Sequence, residues 1–518
     1  MPKLLPTNTS SFRDIIEEDK LYVDKTEYIY QLVRQKGAWF LSRPRRFGKS
    51  LFVSTLDEVY RGNRELFKGL WIDRSDYGWE PYPVIRLDFN LYPSTTAIEL
   101  QSNIKRYLTQ IAAQYNIALA DGPYYAQFID LILALSAERQ VVVLIDEYDK
   151  PLINSLHDLK EAKAIRDTLK GFYGTLKSLD RQLRMVFITG ISKFSRVGVF
   201  SDLNNLTDSD DELRFATAFG LTETEIGTDL AEHVTAFAQR EKLTEDELLA
   251  KMRYWYDGFR FSPETENVYN PYSTLLLFYH QRFANYWFES GTPTFLINLL
   301  LQRKYNIEEL GELRLGELAF STYEIDKLAI VPLLFQTGYL TIKGYHERTQ
   351  QYDLGYPNYE VENAFLVYLL DAFSDSKQGF SESHLWRMVE ALEQQDLKTF
   401  FAVLQTLFAN IDYDLQLGYE KYYQTIFYLV FKLIGLRIAA EVKTNDGRID
   451  SVVETDDHIY LFEFKLDQDA ESALQQVKEH EYYRKYQLHG KPITCIGANF
   501  DTTTRTVDDW KTMDVEPV

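Results

Sequence analysis

The sequence predicts an α/β protein made of several folded bodies, and three observations carry that prediction. Residues 1–220 alternate apolar strand-like runs with helical ones, as a parallel sheet with helices on both faces requires. At 518 residues, 45% of them hydrophobic, the chain is too long for one core and too apolar for wholesale disorder. From 412 onward the pattern changes to helix, three strands, helix, strand, which marks a second α/β body.

The elements follow in order. "AWFLS" is a short strand leading into a loop, and "KSLFVSTLDEVYRG" has helical spacing. "PVIRLDFN" reads as a strand, followed by the helices "TTAIELQSNIKRYLTQIAAQY" and "YAQFIDLILALSAERQ". "VVVLIDEYD" is a continuous β-branched run of the kind buried parallel strands need. A helix over 159–179 leads to the strand "RMVFITG". Residues 222–315 are mainly helical, and 329–360 reads as a helix and a two-stranded hairpin, a candidate DNA-reading wing. Helices over 361–409 bridge to the last body. The expected domains are 1–220, 221–380 and 381–518.

Composition excludes several functions. The single cysteine, Cys495, rules out an internal disulfide and a cysteine zinc cluster. The eight histidines show no ligand spacing. No apolar run reaches the ~20 residues a membrane span needs, since "TIFYLVFKLIGLRIAAEV" is broken by Lys432 and Arg437. "MPKLLPTNTS" lacks signal-peptide character, so a soluble, cytoplasmic protein without a membrane partner is expected. A net charge of −21 opposes a non-specific DNA coat and leaves room for a local basic cleft.

Two stretches carry chemistry. In "FLSRPRRFGKSLF", residues 40–52, Gly48-Lys49-Ser50 close a phosphate loop, yet Arg43 stands where the first glycine belongs. Backbone N–H groups at a helix N-terminus bind phosphate, lysine neutralises it and the serine ligates Mg²⁺. "VVVLIDEYDK" places Asp146 and Glu147 at the C-terminal edge of a buried strand, where ligands bind in open α/β sheets. The aspartate suits Mg²⁺ and the glutamate suits polarising a water. At the tip of the next strand, Thr189 or Ser192 can sense a γ-phosphate, and Arg196 can reach it.

The second stretch is "EVKTNDGRIDSVVETDDHIYLFEFKL". Turns at Asn445-Asp446-Gly447 and Asp456-Asp457 give three antiparallel strands. Period-two alternation puts Glu463 and Lys465 on one face and Phe464 on the other. Asp450 with E-x-K on the next strand suits a metal-dependent phosphodiester hydrolase, in which carboxylates hold the metal and lysine serves the attacking water. Glu441, and Glu420 in the preceding helix, can complete the acidic set. "EFK" alone is commonly a salt-bridged surface, but the apolar run around it argues against that.

The blocks "YVDKT" (22–26), "RPRRFGKSL" (43–51), "LIDEYDKPL" (144–152), "FSDLNNLTD" (200–208), "WYDGFRF" (255–261), "YNPYS" (269–273) and "YWFESGTPTFL" (286–296) together resemble the bacterial AAA-ATPase-like family. The resemblance spans nearly the whole chain. It implies a P-loop NTPase domain, a helical and winged-helix-like middle region and a C-terminal PD-(D/E)XK nuclease fold, a small mixed sheet flanked by helices. It implies ATP held by Arg43, Arg45, Arg46, Phe47, Gly48, Lys49, Ser50, Leu51, Asp146 and Thr189, with Mg²⁺ on Ser50 and Asp146 and Glu147 catalytic. At the nuclease site it implies Mg²⁺ or Mn²⁺ on Asp450, Glu463 and Glu441, with Asp450, Glu463 and Lys465 catalytic. Gln476 matches the glutamine of RecB-like members, with Tyr482 or Tyr483 beyond. The implied partners are a nucleotide and nucleic acid, DNA before RNA, with a homo-oligomer admissible. The alternative is a nucleotide-switched scaffold with an inactive nuclease fold.

Overall fold

A computed structural model describes residues 2–193, 199–200, 203, 205–208, 212–289, 294–303, 305–316, 330–373, 380–410, 419–437, 439–445 and 448–516, without the side chains at 289, 294–295, 380, 419–424, 439–445 and 448–450. It divides into two compact units, Met1–Phe295 with Gly311–Glu360, and Leu296–Leu310 with Val361–Val518.

The first unit is built on strands β1 (Gly37–Ser42), β2 (Val84–Asp88), β3 (Val141–Asp146), β4 (Leu183–Gly190) and β5 (Leu206–Asp208). Their order is β2-β3-β4-β1-β5 and every pairing is parallel. All six residues of β3 are buried, which is why its sequence is continuously apolar up to Asp146. The helix Lys49–Tyr60 leaves the C-terminal end of β1 directly. Helix Ala97–Gln114 starts at a Thr96/Glu99 capping box, and Leu159–Ser178 at Asp158, whose carboxylate accepts from two backbone N–H groups.

The helices Glu223–Asp229, Ala231–Glu241, Glu245–Tyr256 and Pro271–His280 follow in the same unit and share a core that includes Phe237, Leu248, Met252 and Tyr256. Capping boxes at Thr222 and Thr244 fix two of their starts. The helix and hairpin expected over 329–360 are present as Ile330–Gln336, β7 (Thr341–His346) and β8 (Gln351–Gly355). A strand the sequence reading missed, β6 (Leu313–Gly316), adds to β8 and makes the sheet three-stranded.

The second unit carries β9 (Ala439–Asn445), β10 (Arg448–Glu454), β11 (Ile459–Leu466), β12 (Ile493–Asp501) and β13 (Thr506–Val515), ordered β13-β12-β11-β10-β9. β11 pairs antiparallel with β10 and parallel with β12, so the sheet is mixed, and β13 is one strand more than expected. On one face Phe462 meets Phe400 and Phe431 at ring distances of 5.3 and 5.0 Å, and Phe464 meets Phe427 at 4.6 Å. On the other face Ile459 and Leu461 pack with Leu474 and Val477 of helix Ala470–His480. Helices on both faces bury β11, whose first seven positions are all buried. Among the described residues no helix is long and apolar enough to cross a membrane.

Candidate functional sites

The first site forms where β1, β3 and β4 end. Gly48 takes φ 89°, a left-handed value, just before the helix. A Cβ added there would meet nothing within 4 Å, so backbone angle rather than space demands glycine. The N-cap residue Gly48 brings no side-chain cap to the helix start, which suits that N-terminus to an anion. Lys49 is 4% exposed and its ammonium donates to the Arg43 and Pro44 carbonyls, both at 2.9 Å. Burial lowers its pKa, and Glu147, Asp146 and Asp149 oppose that shift.

Asp146 is fully buried, and neither carboxylate oxygen has a hydrogen-bond partner among the described residues. Burial pushes its pKa up to about 6; the Ser50 hydroxyl works against the shift without reaching hydrogen-bond geometry, and Glu147 adds to it. An orphaned carboxylate beside a serine at a helix start fits a hard divalent cation. Asp88, at the end of β2, is the register partner of Asp146. Glu147 is half-buried at φ 51°, a left-handed angle that side chains occupy at a cost and that clusters at functional sites. Thr189 is fully buried, and its hydroxyl likewise lacks a partner among the described residues.

The structure separates the loop residues by role. Arg43 is 2% exposed, and its guanidinium donates to the Ser42 and Phe215 carbonyls at 2.8 and 3.3 Å. The guanidinium is thus engaged inside the protein, with Phe261 packed on it at 4.4 Å. Phe47 is buried, Arg45, Ser50 and Leu51 are half-buried, and Arg46 is exposed. Ser192 is engaged by Asp149, a residue that sequence reasoning passed over. Asp149 is fully buried and accepts from the Ile191 N–H (3.0 Å), the Ser192 N–H (2.7 Å) and the Ser192 hydroxyl (2.6 Å). Burial raises its pKa, and Ser192 opposes this. The signal was the second aspartate of "DEYD", which reads as one more turn acid. Arg196 lies outside the described residues.

The second site lies on β11. Glu463 is fully buried and Lys465 is 9% exposed, and the ammonium is 3.3 Å from Glu463 Oε1. The same ammonium makes a short hydrogen bond to the Gln476 side-chain oxygen, so the helix Ala470–His480 delivers its glutamine to the lysine. Asp450 is the residue directly opposite Glu463 in the β10–β11 ladder, and Glu441 sits opposite Val452 on β9. The side chains of Asp450, Glu441 and Glu420 are outside what the structure describes. Among the described residues no three His, Cys, Asp or Glu side chains form a ready metal cluster. Glu463 supplies a hard oxygen of the kind Mg²⁺ and Mn²⁺ take. Tyr482 and Tyr483 pack as half-buried residues against the neighbouring core.

Fold and sites together define a parallel-sheet, phosphate-loop domain joined to a mixed-sheet domain bearing an E-x-K pair. A family profile described as Predicted AAA-ATPase matches residues 6–200, and one described as PD-(D/E)XK nuclease superfamily matches residues 418–510. A protein of Azotobacter chroococcum mcd 1, described as "Uncharacterized protein in vnfD 5'region", is 38% identical over 524 residues, covering 98% of each chain. The chain belongs to the bacterial AAA-ATPase-like family with a C-terminal PD-(D/E)XK nuclease superfamily domain.

Proposed function

We propose that the protein binds and hydrolyses ATP in its first domain and, under that control, cleaves DNA phosphodiesters with Mg²⁺ or Mn²⁺ in its second. The observation that carries the reading is the Glu463–Lys465 pair on a buried strand, joined by Gln476 from the adjacent helix. Two buried charges cost several kcal/mol in desolvation, roughly, and a purely structural strand has no need of them. A degraded nuclease fold would be expected to lose one member of this set, and here Asp450, Glu463, Lys465 and Gln476 are all present.

The roles follow from chemistry. Asp450, Glu463 and Glu441 would hold the metal, which polarises the phosphate when bound. Lys465 orients the attacking water and offsets charge on the phosphorane. In the first domain Lys49 neutralises phosphate, Ser50 and Asp146 hold Mg²⁺, Glu147 polarises the water and Thr189 meets the γ-phosphate. The test is nicking of supercoiled plasmid with Mg²⁺ or Mn²⁺, with ATP, ADP or no nucleotide. Cleavage that changes rate with nucleotide is expected. No cleavage under any condition would end the nuclease reading in favour of a nucleotide-switched scaffold.

A further inference from the structure

Five consecutive loop residues are each gripped from beyond the sheet, within one compact unit. Arg43 stacks under Phe261 at 4.4 Å, and Arg46 lies 4.4 Å over the Tyr272 ring. Gly338 comes so close to Pro44 that a Cβ on the glycine would sit 2.7 Å from the proline Cβ. The Trp287 indole N–H donates to the Arg45 carbonyl at 3.1 Å, and Phe47 meets Phe259 edge-on at 4.8 Å. Trp287 is itself anchored. Its backbone N–H donates to Glu360 at 2.8 Å, and the fully buried Glu360 also accepts from the Ser273 hydroxyl at 2.8 Å. The gripping residues come largely from "WYDGFRF", "YNPYS" and "YWFESGTPTFL", three blocks to which the ATPase chemistry assigns no role.

A phosphate loop must hold successive N–H groups toward an anion, and glycines normally make that conformation accessible. Here Arg46 takes φ 68° without being glycine. Such an angle persists only where the surroundings over-determine it. Arg45 and Phe47, its neighbours, are both held from outside.

We propose that Trp287 is a positioning residue for nucleotide binding: its indole fixes the Arg45 carbonyl, and so the turn at Arg46 that an arginine-bearing loop cannot hold by itself. This rests on the reading of the loop as an ATP site. The experiment uses the full chain, with Trp287→Phe, which keeps an aromatic ring against Tyr339 and Phe288, and Glu360→Gln, which loosens the anchor while keeping its shape. Two readouts are taken: amide exchange over 43–48 without nucleotide, and ATP affinity by calorimetry. Both variants should exchange faster in the loop, with β3 unchanged, and bind ATP roughly 3- to 10-fold more weakly, the worth of one buried hydrogen bond. If Trp287→Phe does not fold, Glu360→Gln decides. Loop exchange equal to wild type overturns the brace, and faster exchange with unchanged affinity overturns its role in binding. A wild-type chain that binds no ATP ends the ATP reading instead, and the exchange data still decide whether the brace holds the loop.

Discussion

Asp146→Asn should stabilise the metal-free, nucleotide-free protein while abolishing Mg²⁺-dependent ATP binding. The carboxylate is fully buried, neither oxygen is hydrogen-bonded among the described residues, and its pKa rises from 3.8 to about 6. That is about two units at ~1.4 kcal/mol each, so the ionised group costs the fold roughly 3 kcal/mol. The folded pKa lies above the unfolded one, so the folded state binds the extra proton between pH 3.8 and about 6. Stability therefore falls as pH rises through that window, and the full penalty is present above it. Asn carries no charge at any pH. Its advantage over wild type should be largest at pH 8 and shrink to about half by pH 5. Chemical denaturation of the first unit at both pH values measures this. A variant less stable than wild type at pH 8, or a difference independent of pH, would show that Asp146 carries no stranded charge and refute the cation-site argument.

Lys49→Ala should weaken ATP binding at least tenfold, about 1.4 kcal/mol, by removing the main counter-charge to phosphate; equal affinity on titration would sink the phosphate-loop assignment. Glu147→Gln should leave ATP bound and lower hydrolysis by roughly 10²-fold, measured as phosphate release. Glu463→Ala and Asp450→Ala should each abolish plasmid cleavage with the chain still folded by circular dichroism. Lys465→Ala leaves the buried Glu463 one cation short, costing the metal-free domain on the order of 3 kcal/mol, and added Mn²⁺ should recover part of that loss.

What could be read from the sequence was local. The run from Val141 to Asp146 announced a buried strand because β-branched residues pack on both its faces. The alternation of Phe462, Glu463, Phe464 and Lys465 fixed the two faces of β11 before any pairing was known. What stayed hidden was made by distant partners. The cover of Arg43, Phe261, is supplied by a segment more than 200 positions away, and the Trp287–Arg45 bond spans 242. Asp149 gave no sign of binding Ile191 and Ser192. β5 has only three residues, and most of β13 is accessible to water, so neither shows a buried periodicity.

The two sites differ in how they treat charge before a ligand arrives, and that difference bears on order of binding. At the first, Asp146 has no hydrogen-bond partner among the described residues, so a cation relieves an existing penalty. At the second, Lys465 already contacts Glu463 at 3.3 Å and also donates to Gln476. A metal on Glu463 there takes up part of a charge the lysine already balances, so cation entry gains less. On the proposed reading a DNA phosphate changes this, because an anion beside Lys465 draws the ammonium toward itself and leaves Glu463 to the metal. Metal and substrate then favour each other's binding at the second site, whereas the first can take its cation before the chemistry begins. The Mn²⁺ affinity of the second domain should accordingly rise when a non-cleavable phosphorothioate DNA is present and stay unchanged in Lys465→Ala; equal affinity with and without that DNA in the wild-type chain would break the argument.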